Sequence, residues 1–170
     1  GAIKSMPKLD CDAVEVVTSA AMQSDIMLLY RDWFALLNRG VRVAAIGASD
    51  THHVSEFILG QSRTYAASRA TGRSTIDVDE ICDSSRRGRL LVSMGLLTQI
   101  DLDGRFTVGD LATRLGGELR LTVEVLGPSW VNADRVDLFA NGIKVREQSI
   151  AATTGVRKAR VLWTVPRPKH

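Results

Sequence analysis

One short loop holds residue types suited to metal chemistry. Gly47-Ala48-Ser49-Asp50-Thr51-His52-His53 places a carboxylate two residues before an imidazole. Carboxylate oxygen and neutral imidazole nitrogen are common ligands of zinc, manganese and iron. The loop leaves an apolar run, Val41-Arg42-Val43-Ala44-Ala45-Ile46, that reads as a buried strand. In α/β folds catalytic groups gather where such strands end. Asp50 and His52 are therefore the candidate metal ligands. His53, pointing the other way on extended backbone, is a supporting neighbour. The same triplet also arises where Asp caps a turn and His is solvated.

The elements that must position this loop alternate in type. A strand is expected within Asp12–Val17. A helix follows, capped by Ser24 or Asp25, carrying Leu28, Leu29, Trp33, Phe34, Leu36 and Leu37, and closed by Gly40. After the loop come a short strand near Arg63–Ala67 and a helix from about Thr75 to Arg87, capped by Ser74 or Thr75 and ended by Gly88. Leu90–Ser93 reads as another strand. This βαβ order predicts a parallel sheet or part of a β/α barrel over residues 1–95.

Beyond residue 96 the apolar period becomes two. Leu119, Leu121, Val123 and Val125 alternate with Arg120, Thr122 and Glu124. Asp103-Gly104 and Asn141-Gly142 are tight-turn signals, and Arg160–Val165 is a closing strand. Residues 96–170 are thus expected to form an antiparallel, sandwich-like β segment. The few parallel strands of the first half would leave an apolar sheet edge, which calls for missing upstream chain or a second copy.

The chain's 170 residues suffice for one domain or two small ones. No apolar run is long enough for a membrane span, and no signal-peptide pattern opens the chain. Cys11 and Cys82 match no metal or redox spacing and read as reduced or buried thiols. Residues 1–85 hold 8 Lys/Arg against 11 Asp/Glu, and residues 86–170 hold 14 against 8. The basic excess lies along alternating strands without interleaved aromatics, which argues against nucleic acid as the partner. Arg86-Arg87-Gly88-Arg89 falls at a helix end, where cations offset the helix dipole.

Several blocks together resemble a known family. Asp32-Trp33-Phe34-Ala35-Leu36-Leu37-Asn38-Arg39-Gly40, then Ser49-Asp50-Thr51-His52-His53, then Gly60 and Arg63-Thr64-Tyr65, are similar to the C-terminal part of a PHP (polymerase and histidinol phosphatase) domain, in its CehA/McbA-like branch. Members tend to carry a β-rich segment with an Asn-Gly hairpin, as at Val136–Gly142. The resemblance implies a distorted β/α barrel holding two or three divalent metals. It also implies hydrolysis of a phosphoester or carboxylic ester by metal-activated water. Asp50 and His52 match the last pair of family ligands, and Arg63 and Tyr65 match a substrate-side segment. Glu15 lies in a stretch that supports the site from outside. The family's early H-x-H motif and its middle His and Glu ligands have no counterpart here, and the only other histidine is His170. Thr18 stands where the branch usually has Asn. The chain alone is therefore expected to be inactive, as part of a longer hydrolase. The alternative is a non-catalytic carbohydrate- or protein-binding module with a vestigial metal loop.

Overall fold

The computed structural model describes residues 10–18, 25–55, 58–70, 72 and 75–168. Strands β1 (Ala13–Thr18) and β2 (Ala44–Ala48) pair in parallel, from Ala13 opposite Ala44 to Thr18 opposite Ala48. Helix α1 (Met27–Asn38) connects them. Asp25 Oδ1 accepts from Met27 N at 3.0 Å at the start of α1, and Gly40, at φ 78°, ends it by donating to Leu37 O. Trp33 Nε1 donates to Val43 O at 2.9 Å, tying α1 to the approach to β2.

The barrel expectation fails at the next strand. β3 (Arg63–Ala66) and β4 (Leu90–Ser93) pair antiparallel, with Ala66 opposite Leu90. Helix α2 (Val78–Arg86) does not carry the chain back over the sheet. It is anchored at the carboxyl end of β3, where Ser84 Oγ donates to Ala67 O at 2.6 Å. Glu80 takes bonds there from Ser68 Oγ and from Arg69 N and Nε. The chain therefore re-enters beside the end of β3 and runs back along it. One parallel pair and two short helices do not make a partial PHP-type β/α barrel. The cap of α2 also differs from expectation. Asp77 accepts from Glu80 N at 3.0 Å, an Asp-x-x-Glu start that outcompetes Thr75. Ser24 and Ser74 lie outside the described residues.

The rest of the chain is antiparallel, as the period of two predicts. β5 (Leu97–Leu102), β6 (Glu118–Leu126) and β9 (Arg157–Pro166) form a sheet in the order β5-β6-β9. β7 (Arg135–Ala140) and β8 (Ile143–Ser149) form a hairpin. Asn141 and Gly142 turn it, with φ of 52° and 81°. Asp103 and Gly104 also form a left-handed turn, but it supports a single bridge, Leu102 to Phe106, before the chain departs. β5 takes β6 as its partner instead.

The core of this half holds Leu121, Val123, Val125 and Val161 from the three-stranded sheet and Val136 from the hairpin, so the two sheets pack face to face. Phe34 of α1 stacks on Phe139 at 5.7 Å, and Asn38 Nδ2 donates to Asn141 O, joining the first half to the hairpin. Cys11 and Cys82 are free and exposed rather than buried. No helix among the described residues is long and apolar enough to cross a membrane.

Candidate functional site

The parallel pair ends both of its strands on one side, and the loop carrying Asp50 and His52 leaves from there. Ser49 is buried and accepts at Oγ from Thr51 Oγ1, 3.0 Å away, which tightens the loop's first turn. Asp50 has φ 52°, a left-handed conformation that Asp tolerates better than most residues. That twist brings His52 back onto Asp50. His52 Nδ1 lies 2.9 Å from the Asp50 carbonyl oxygen and 3.4 Å from carboxylate Oδ1.

Zinc-type bonds of about 2.1 Å at the tetrahedral angle set neighbouring donor atoms about 3.4 Å apart. Nδ1 and Oδ1 therefore span one edge of such a shell. When the ring proton sits on Nε2, three lone-pair atoms (Nδ1, Oδ1 and the Asp50 carbonyl oxygen) converge, and a cation relieves their repulsion. When it sits on Nδ1, the ring donates to the carbonyl and presents Nε2 outward. The two residues fit part of a coordination shell. Both are open to solvent, the Asp50 side chain 49% and that of His52 71% exposed. Among the described residues no group of three or more His, Cys, Asp and Glu is arranged to hold a metal ion.

Glu15, on β1, is the other acid near the loop. Partial burial raises its pKa, and the negative charge of Asp50 raises it further. The two carboxylates are thus electrostatically coupled across the strand pair. His53 is exposed and has no hydrogen bond among the described residues.

Arg63 and Tyr65 occupy a different face. Between them, Thr64 Oγ1 donates to Gly47 O and accepts from Gly47 N, both at 2.8 Å. That clamp points Thr64 at β2, so by strand alternation Arg63 and Tyr65 point away from it. Tyr65 instead lines a cleft of about 870 Å³ that Asp50, His52 and Arg63 do not line. The cleft lies between the β3–β4 pair and the exposed face of the β5-β6-β9 sheet. The sequence reading did not find the clamp that holds β3 against β2. Nor did it find Ser62, fully buried, whose hydroxyl donates to Val17 O at 3.1 Å. The signal was a hydroxyl residue inside each short apolar stretch, which is too common to single out.

Comparison with protein-family models, with curated proteins and with solved structures found no match.

Proposed function

We propose that the Asp50–His52 loop is one side of the metal site of a metal-dependent hydrolase acting on a phosphoester or a carboxylic ester. The observation that carries this reading is the 3.4 Å spacing of His52 Nδ1 and Asp50 Oδ1 on a loop leaving a parallel strand pair. The ordered likeness of residues 32–40, 49–53 and 60–65 to PHP-domain hydrolases supports it. A catalytic zinc site takes about three protein ligands plus water, so it needs donors beyond these two, and among the described residues no group of three gathers there. A zinc, manganese or iron ion bound there would supply an acidified water and a Lewis acid for the ester. Asp50 would supply negative charge and one oxygen ligand, and His52 one nitrogen. Glu15, whose carboxyl pKa is raised by partial burial and by the Asp50 charge, would stand outside the ligand set as a neighbouring acid.

Calorimetric titration of the chain with zinc and manganese chlorides tests this. Asp50→Ala and His52→Ala are each expected to weaken binding about tenfold or more, a loss that even supporting residues of metal sites produce. His53→Ala is expected to leave it unchanged. In the full polypeptide encoded by the gene, the same two substitutions are expected to abolish metal-stimulated hydrolysis of p-nitrophenyl acetate or bis(p-nitrophenyl) phosphate. Metal binding indifferent to both substitutions overturns the reading and favours a non-catalytic binding module.

A further inference from the structure

The 870 Å³ cleft is large enough for a small organic molecule, and its walls come from elements far apart in sequence. Tyr65 of β3 and Leu91 of β4 form one wall. Leu97 of β5, Glu124 of β6, and Arg157 and Arg160 of β9 contribute to the other. Tyr65 is 42% exposed and offers its ring to the opening.

The pairing of the charges is informative. Arg160 stands directly opposite Glu124 in the β6–β9 register, the arrangement that ordinarily makes a cross-strand ion pair. Glu124 Oε1 instead binds Arg157 Nε at 2.6 Å. Arg89, the third guanidinium lining the cleft, pairs with Asp110 at 3.2 Å. Arg160 is left with no carboxylate partner among the described residues. Arg157 meets Glu124 through its Nε. A guanidinium carries five donors in a planar fork matched to a carboxylate. Glu124 and Asp101 also line the cleft, and their charge opposes a dianion such as a phosphate monoester.

We infer that this cleft binds an organic monocarboxylate with an apolar body. Its carboxylate is clamped by Arg160 and the terminal nitrogens of Arg157. Its body lies along Tyr65, Leu91 and Leu97. The site shares Tyr65 with the proposed hydrolase substrate side, but it needs no metal.

Binding is therefore measured in EDTA, by protein-observed NMR titration with 4-phenylbutyrate, 4-phenylbutyramide and phenyl phosphate. The carboxylate is expected to give saturable shifts at Tyr65, Leu91 and Leu97, with the amide and the phosphate at least about tenfold weaker, the scale of losing a charged hydrogen bond. Arg160→Gln is expected to weaken the carboxylate by a similar factor and to leave the spectrum of the folded protein in place. Arg42→Gln, at a residue that does not line the cleft, is expected to change nothing. Absence of saturable carboxylate binding, equal binding of the amide or of the phosphate, or an unchanged affinity in Arg160→Gln overturns the inference. Because metal is absent throughout, none of these results bears on the Asp50–His52 reading.

Discussion

Every second residue of β6 from Leu119 to Val125 is buried, whereas α1, the longer of the two helices, buries none of its twelve residues. The β-rich half holds a continuous apolar core built from both of its sheets. In the first half Val16, Val17, Val43, Ala44 and Leu90 are buried, and much of the remaining order comes from single polar clamps. Thr64 on Gly47, Ser62 on Val17, Ser84 on Ala67 and Trp33 on Val43 each tie one strand or helix to a neighbour's backbone. The difference teaches where each region's tolerance lies. The β half resists change to its surface and is sensitive to lost volume. The half carrying Asp50 and His52 is sensitive to individual hydrogen bonds and close approaches.

The largest expected effect tests the core of the β half. Leu121→Ala, at a site 6% exposed, is expected to cost about 3 kcal/mol in urea unfolding. Leu37→Ala on α1, at 39% exposure, is expected to cost less than about 1 kcal/mol. Equal losses would erase the contrast.

A smaller effect is expected at the close approach beneath the Asp50–His52 loop. A Cβ on Gly47 would sit 2.8 Å from both Ser62 Oγ and Val92 Cγ1 and 3.3 Å from the Arg63 carbonyl. Gly47→Ala is therefore expected to destabilise by about 1–3 kcal/mol and to weaken zinc binding by displacing β3 from β2. Full stability with unchanged zinc affinity would mean that the clamp is not what orders the loop.

The smallest effect is electrostatic and lies at α2. Bonds from Arg69 N, Arg69 Nε and Ser68 Oγ hold the Glu80 carboxyl below its ordinary pKa of 4.5. A carboxylate lowered on folding contributes stability above its unfolded pKa and loses it as pH falls through the folded value. The protein is accordingly expected to exceed Glu80→Gln in stability at pH ~6 and to converge with it as pH falls below the lowered folded value in thermal melts. A gap that persists unchanged in acid would assign the loss to packing of the glutamine instead.

Much of the fold was legible in local pattern. The alternation in β6, the Asn141-Gly142 turn and the Gly40 helix end each rest on a preference acting within a few residues. The sequence places the start of α2 too early because two hydroxyl residues precede Asp77, whereas Asp77, with Glu80 three positions on, supplies the stronger cap. The pairing of β3 with β4 was misread for a larger reason. Strand-helix-strand order predicts a parallel crossover only if the helix spans the sheet, and α2 is bonded to the end of β3 instead. The candidate site was legible as residue types. Asp50 and His52 face each other, while Arg63 and Tyr65, which the family resemblance sets on the substrate side, point away from β2, and Tyr65 lines a separate cleft.

Residue order alone determined the strand and helix segments, the tight turns and the donor pair at Asp50 and His52, because each depends on neighbours along the chain. Tertiary structure decided which strands meet, that Tyr65 faces a cleft with Arg160, and that Glu124 takes Arg157 and leaves Arg160 without a carboxylate. Those outcomes depend on distances between residues that lie tens of positions apart, where backbone direction and competition for partners outweigh any local preference.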